Sequence, residues 1–542
     1  MKKKNQSLMV AALTSSFGIF ISKALGLLYY APLSSMAGEA NMAFYSIAYT
    51  YYDLLLKISS AGIPFAIAAL VSRYYAKEDY KTVLLIKKMG ISLVMGLTFL
   101  VALIFLLVAS PLAAQSMGSG ASSEDIIHLR NIFYILLFAV ILVPYLSAVR
   151  GYYQGLKRLD LYGASQALEQ FVRVACIILL GYLFVSILHF DSIYAIYMAI
   201  LAAGIAALVC IFFFLFMTKK DDKKIDQLVK KQESPAITKK RLLQELINLS
   251  VPYLLISFLG SLSSLVNSTF FMDTATKAGY DVAQMKLEMG ILLANCNKLS
   301  SIPQVLTLGF SAGLVPYLSE SLEQQDLKKL NNQIIQICET VLFILIPCVF
   351  VYFFFAKDIY YIMYGNSNLE VGARLLAVYS LVTFTDTIAP ILSSIMITLR
   401  LKKEATIALI ASCLIKLGTF FIFVRQFGSI GMTLSTALST FFVIVAYMLI
   451  LKKCFKTKFT MTLRKVFLTV VSTLVMVIPV KLLHILLDVS YTSRIVDIAV
   501  MLGCGGLMLV IYYFVSSYFN LPQQILHIRK VSPKAILKRF RA

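Results

Sequence analysis

Apolar residues fall in long blocks along this chain, and polar residues gather in short intervals between them. A run of about 20 apolar residues is what a helix needs to cross a bilayer. Fourteen segments meet that length, near 8–34, 43–71, 84–109, 131–149, 162–187, 193–217, 246–270, 287–316, 333–356, 372–398, 405–424, 430–451, 466–487 and 496–518. The predicted fold class is therefore all-α, a polytopic membrane protein of about 14 transmembrane helices. The eighth segment is polar at Asn295-Cys296-Asn297-Lys298, and the eleventh contains Lys416.

The two halves of the chain repeat weakly. Pro144-Tyr145-Leu146-Ser147-Ala148-Val149 returns as Pro390-Ile391-Leu392-Ser393-Ser394-Ile395, and Asp79-Tyr80-Lys81 returns as Asp326-Leu327-Lys328. Ala37-Gly38 and Ala278-Gly279 match at a similar offset. Six spans separate the matches, so both halves start on the same side. That makes a parallel pseudo-repeat about an axis along the membrane normal, as in two-lobed transporters with a site between the lobes. The expected organisation is an N-lobe over 1–217 (spans one to six), a basic cytoplasmic linker over 218–245, and a C-lobe over 246–451 (spans seven to twelve). Residues 452–542 then hold two extra spans and a basic cytoplasmic tail.

Composition fits a membrane protein. The 542 residues are 59% hydrophobic and 14% charged, with a mean hydropathy of +0.82, whereas soluble domains carry about 25% charged residues. The net charge of +23 could point to nucleic acid in a soluble protein, but its placement decides otherwise. With a cytoplasmic N-terminus, the inner loops and both tails carry 37 of the 50 Lys and Arg residues. The outer loops carry only Arg130, Lys277, Lys286, Lys357, Arg374, Arg425 and Arg494. This is the positive-inside pattern, so the charge sets topology and contacts anionic lipid; no nucleic acid partner is needed. Both termini are expected in the cytoplasm of a multi-pass plasma-membrane protein. Met1-Lys2-Lys3-Lys4 and the apolar run after it resemble a signal peptide, but the run continues past Lys23 toward Pro32, which reads as an uncleaved first span.

Six basic residues remain inside spans: Lys23, Lys57, Arg173, Lys298, Lys416 and Lys481. At 1.5 Å per residue, Lys23 lies roughly 22 Å, Lys57 roughly 21 Å and Lys298 roughly 17 Å into its span. Each costs roughly 2.5–3.5 kcal/mol on insertion scales, so each is a functional hypothesis. A wet cavity that receives a phosphate or diphosphate would resolve their mutual repulsion. Pro32, Gly62 with Pro64, and Pro303 sit in the same three spans, where they bend helices. Asn297, Ser300, Ser301 and Gln304 continue the polar wall from Lys298.

Structural readings stand beside these. Asp53–Lys57 and Glu169–Arg173 are at i,i+4, the favoured sense for an intrahelical pair, and Glu169–Arg173 is either such a structural pair or an ion-coupling site. Lys23 has no acid at that spacing. Asp386 and Lys416 lie mid-span in consecutive helices, as a structural pair or an ion-coupling site. Lys481 is near a span end and is expected to snorkel. Asp221-Asp222 reads as a solvated turn. The four histidines are scattered, the eight cysteines form no C-x-x-C pair, and no phosphate-binding Gly-rich loop occurs. No metal, cofactor, disulfide or enzyme chemistry is expected.

Three stretches carry a resemblance: Ser22-Lys23-Ala24-Leu25-Gly26; Leu55-Leu56-Lys57-Ile58-Ser59-Ser60-Ala61-Gly62-Ile63-Pro64; and Arg150-Gly151-Tyr152-Tyr153-Gln154-Gly155 followed by Ser165-Gln166-Ala167-Leu168-Glu169-Gln170. Together they resemble the polysaccharide-exporter branch of the MOP superfamily. Within it they are most similar to the MurJ-type lipid II flippases of Gram-positive bacteria and their sporulation-associated relatives. The resemblance implies that Lys23, Lys57 and Lys298 occupy the basic positions of a central cavity and bind the diphosphate of a lipid-linked glycan. Tyr29 and Tyr30 stand where relatives often carry another Arg. The resemblance also implies that the last two spans form a groove for a polyprenyl tail.

The expected activity is a flippase, not an enzyme, that moves a polyprenyl-diphosphate-linked cell-wall precursor, lipid II first, from inner to outer leaflet by alternating access. The return step would draw on membrane potential or on Na+ or H+. The alternatives are export of another lipid-linked oligosaccharide of teichoic, capsular or O-antigen type, or a cation-coupled drug exporter of the same superfamily.

Overall fold

The computed structural model describes residues 29–60, 62–304, 318, 321–322, 324–457, 459–486 and 493–525. Lys23 lies outside the described residues. Within them every regular element is a helix: α1 (Tyr30–Ala37), α2 (Met42–Ser60), α3 (Ile63–Ala76), α4 (Tyr80–Met117), α5 (Ser123–Gly155), α6 (Leu159–Tyr182), α7 (Ile193–Met217), α8 (Lys219–Lys231), α9 (Lys239–Lys277), α10 (Val282–Gly290), α11 (Leu327–Phe354), α12 (Ala356–Tyr364), α13 (Leu369–Thr398), α14 (Lys402–Phe455), α15 (Thr460–Leu486), α16 (Arg494–Tyr518) and α17 (Leu521–Ile525). Ten stretches of the described residues are long and apolar enough to cross a membrane.

Special backbone sits where the sequence places helix breakers. The second predicted span is two helices, α2 and α3, joined at Gly62, whose φ of 82° is left-handed. Glycine adopts that conformation without a Cβ clash, and Pro64 follows in the first turn of α3, where its missing N–H leaves no bond unmade. The long α14 carries two predicted spans, 405–424 and 430–451, divided at Gly428 (φ 56°, ψ −128°). After α10 the backbone widens into a π-helical turn, Ile291–Cys296, immediately before Lys298. Such turns gather at functional sites.

Contacts divide the chain into two compact units. One comprises residues up to Asn295 with Val424–Met432; the other comprises Cys296–Phe423 with the residues from Thr433 onward. In the first unit, Ile67, Leu70, Val71, Ile86, Leu146, Tyr152, Tyr153, Cys210 and Phe214 form one buried cluster. Its helices meet closely because α5 ends in Gly151-x-x-x-Gly155. A Cβ on Gly151 would sit 2.5 Å from the Pro64 carbonyl oxygen, and one on Gly155 would sit 2.8 Å from that of Ala68. Small residues at this spacing let helix backbones touch in a membrane, where lipid removes the hydrophobic drive between helices.

One expectation is corrected in this unit. Within the stretch 218–245 lies the helix α8, with Ile225 buried. The Asp221-Asp222 pair is not a solvated turn. Asp221 pairs with Arg158, and Asp222 accepts from Lys87 Nζ at 2.8 Å and from the Tyr153 hydroxyl at 2.8 Å. Gln232, just past α8, donates to Asp79 at 2.8 Å and accepts from the Lys81 backbone N–H at 2.8 Å.

Asp79 is the N-cap of α4 and accepts from the Thr82 N–H at 3.1 Å. Burial pushes its carboxyl up, but hydrogen bonds from Thr82 and Gln232 outweigh this and hold it below the usual carboxylate range. A depressed folded-state value stabilises fully above the ordinary carboxylate pKa of about 3.9, and the gain is lost as pH falls through the depressed value. Asp79→Ala is expected to cost about 1 kcal/mol as a lost cap and to release residues 232–234. Amide exchange across 79–83 and 230–234 at neutral pH checks this; unchanged protection in both segments would refute it.

In the second unit, Leu330, Ile334, Leu345, Ile391, Ile395 and Tyr447 form the central cluster. The extra helices α15 and α16 join it through Phe343, Phe355, Val477, Val480, Met508 and Tyr512. Polar clamps hold α15 at both ends. Near its start Lys465 Nζ meets Glu339 on α11 at 2.7 Å. Near its finish Lys481 does not snorkel; its Nζ meets the buried Asp358 of α12 at 3.2 Å. A buried carboxylate is a stronger attraction for an ammonium than bulk water when the span is packed against it.

Candidate functional site

Lys57 lies on α2, half-exposed. Its ammonium reaches Asp53 at 2.6 Å and the Ser261 hydroxyl of α9 at 2.6 Å, so the spacing-based pairing with Asp53 is real. An ion pair this open contributes roughly 0–1 kcal/mol, which is too little to justify a charge at this depth as a structural device. The pairing holds the ammonium in place while using two of its three donors.

Glu169 and Arg173 also pair, at 2.5 Å, but not alone. Arg150 of α5 reaches the other Glu169 oxygen at 2.7 Å, and its remaining donors bind the Ser165 hydroxyl at 2.9 Å and the Ser165 carbonyl at 2.9 Å. The Arg150–Gly155 and Ser165–Gln170 stretches, separate in sequence, are thus one interaction. Arg150 supplies the charge, and the glycines bring α5 against α3. One carboxylate between two guanidiniums leaves a net charge of +1, all of it largely buried.

Tyrosines surround this charge. The Tyr29 and Tyr45 hydroxyls share a hydrogen bond of 2.9 Å. Tyr30 meets Tyr29 at 4.9 Å and Tyr45 edge-on at 5.7 Å, Tyr45 stacks on Tyr49 at 5.8 Å, and Tyr49 meets Tyr52 at 5.7 Å. Tyr49 and Tyr52 stand within electrostatic reach of Arg173.

In the second unit Lys298 is half-buried and Asn297 exposed, while Ser300 is buried. Ser301 caps the Lys298 carbonyl at 2.6 Å, and Gln304 faces Ser300 at 3.5 Å. The Tyr352 hydroxyl of α11 donates to the Leu299 carbonyl at 2.7 Å, which satisfies a backbone group that the π-helical turn and Pro303 would otherwise disturb. Lys416 is fully buried; it donates to Thr436 at 2.7 Å and lies over the Phe420 ring at 5.0 Å. Asp386 is within its electrostatic reach.

Sequence reasoning missed Ser261 and the bonding of Arg150. Ser261 belongs to a helix far along the chain and gives no local signal. Arg150 lies within the Arg150–Gly155 motif, but its partner is 19 residues away and on another helix.

A model of the polysaccharide biosynthesis protein family matches residues 11–322. The chain belongs to that family. Lipid II flippase MurJ of Bacillus subtilis (strain 168) is 26% identical over 474 residues, which cover 86% of this chain and 87% of that protein. Stage V sporulation protein B of the same organism is 26% identical over 408 residues, covering 74% and 75%. Among solved structures, a lipid II flippase MurJ in an inward closed conformation aligns with a TM-score of 0.67 at 16% identity, covering 95% of this chain and all of that one. An inward-facing multidrug resistance MATE family transporter of the MOP superfamily aligns with a TM-score of 0.62 at 14% identity, covering 83% and 99%. The fold is thus that of the MOP-superfamily transporters, and this family member is a multi-pass membrane protein.

Proposed function

We propose that this polysaccharide-biosynthesis family member is a flippase that carries a polyprenyl-diphosphate-linked cell-wall precursor, lipid II first, from the inner to the outer leaflet. The observation that carries the reading is the likeness to a lipid II flippase along 87% of that protein's length. Lys57, held by Asp53 and Ser261 without being consumed by them, adds chemistry suited to a diphosphate. In this reading Lys23, Lys57 and Lys298 bind the diphosphate, and the lobes over 1–217 and 246–451 alternate its access. Tyr29, Tyr30, Asn297 and Gln304 line the path.

The helices α15 and α16 hold the prenyl chain. Among the described residues nothing lies within 4 Å of where a Cβ on Gly503, Gly505 or Gly506 would stand, which suits a narrow apolar guest. Membrane potential, Na+ or H+ resets the carrier, with Asp386 and Lys416 as candidate coupling groups. The exposed lysines of α8 rest on anionic headgroups.

Lys23→Ala and Lys57→Ala are each expected to abolish rescue of cells depleted of their own lipid II flippase, with membrane levels of the protein unchanged. Lys57→Arg should retain part of the activity because the charge remains. Rescue by both alanine variants would overturn the diphosphate assignment. The wild-type chain failing to rescue, while restoring another lipid-linked polymer, would support the second reading. That reading, export of a different lipid-linked oligosaccharide, is supported by the description of the family the chain matches, polysaccharide biosynthesis protein, which names no single polymer.

A further inference from the structure

Three ionisable side chains meet where α12 and α15 come together, at the end of these helices that the basic-residue pattern places outside, and a fourth, on α16, stands within electrostatic reach of them. Asp358 of α12 is 3% exposed, and its carboxylate is met by Lys481 Nζ at 3.2 Å and by His484 Nε2 at 3.2 Å. The Phe355 ring packs against both partners, edge-on to His484 at 5.7 Å and 4.7 Å beneath the Lys481 ammonium. Asp497, on the first turn of α16, is also 3% exposed. Neither of its carboxylate oxygens has a hydrogen-bond partner among the described residues. It lies within electrostatic reach of Asp358 and His484. Arg494, three residues before it, packs onto Gly365 instead. Cys504 completes the groups near the cluster.

A buried carboxylate with no donor costs several kcal/mol. With a neutral imidazole the cluster holds Lys481 against the buried Asp358 and Asp497, a net charge of −1. One added proton brings it to zero. A metal cation would have to enter beside the Lys481 ammonium, whereas a proton requires no space. With its N–H directed from Nε2 to Asp358, His484 keeps Nδ1 to take the proton.

We propose that this junction is a proton-binding site, in which His484 and Asp497 together hold one proton taken from the external medium. With the proton bound, an imidazolium lies between two carboxylates and draws α15 and α16 onto α12. When the proton leaves, Asp358 and Asp497 repel each other and that junction loosens. The site includes none of the lysines assigned to the diphosphate, and its test does not depend on the transported substrate.

The full-length protein, labelled with 15N-histidine and placed in lipid nanodiscs, has only four histidine signals to resolve, and His484→Gln assigns the relevant one. Asp497→Asn is expected to make His484 lose its proton at a lower pH than in the wild-type protein, because an opposite charge nearby favours the imidazolium. In His484→Gln the proton must move to Asp497, so a protonated-carboxyl infrared band is expected to appear at pH 7. That second measurement stands if Asp497→Asn fails to fold. A His484 midpoint unaffected by Asp497→Asn overturns the proposal. So does the absence of a new carboxyl band in His484→Gln.

Discussion

Glu169→Ala is expected to destabilise the first unit by about 3–5 kcal/mol, the cost of stranding buried charge when one member of an ion cluster is removed. Among the described residues Glu169 is the only acid paired with both Arg150 and Arg173, and all three side chains are largely buried. Without it two guanidiniums face each other out of water. Arg150 would still be tied to Ser165, so the repulsion cannot be relieved by swinging that side chain away. Arg150→Met, Glu169→Leu and Arg173→Met combined should recover most of the loss, because apolar replacement of a whole buried cluster is often neutral or better. Unfolding in detergent, followed by loss of the monodisperse peak, reads both outcomes. A Glu169→Ala protein within about 0.5 kcal/mol of wild type, the usual range of surface substitutions, would mean that water reaches the cluster. Transport separates the roles: the stable apolar triple variant should lose flippase activity if Arg173 also serves the substrate path.

Gly151→Val should be nearly as damaging, for a steric reason. The atom in the way is the Pro64 carbonyl oxygen, with the Pro64 carbonyl carbon and Cα behind it at 3.0 Å. Backbone cannot rotate aside as a side chain can, so α5 and α3 must separate. Overpacking costs typically 1–3 kcal/mol and occasionally more, and a backbone obstacle belongs at the upper end. Gly204→Ala is the internal comparison, since the atoms it meets belong to the Phe138 ring, which can move. Stability in the order wild type, Gly204→Ala, Gly151→Val is the expected result. A Gly151→Val variant at least as stable as Gly204→Ala would mean that the close approach is not maintained in the bilayer.

The helical class and the positions of most spans were legible because lipid imposes one rule on every segment, whatever its neighbours. The breaks at Gly62 and the pairs Asp53–Lys57 and Glu169–Arg173 were legible for a related reason: each depends on residues within four positions. What escaped was tertiary. Arg150, Ser261 and Asp358 act on partners in other helices, and a buried acid draws in Lys481 against the snorkelling expected of a lysine near a span end. Asp221 and Asp222 were read as solvated because lysines flank them, yet Ile225, Leu228 and Val229 recur at helical spacing and could have shown a helix with one face to bury. The role of Lys23 rests on sequence alone.

The segment after α7 has a practical consequence for cutting the chain. A flexible stretch of 28 residues would let its ends separate by roughly 26–32 Å on random-coil scaling. Here α8 is pinned by Arg158 and Lys87, and the residues beyond it are pinned by Asp79 and by Thr82, which accepts from the Ile237 N–H at 3.0 Å. The connection is a strap that spends most of its length against α4 and α5. A protease site inserted at 233–236 would therefore leave α8 fastened to the upstream fragment, and two fragments expressed from that point should still find each other, since α9 keeps its own seat through Ser261 and Lys57.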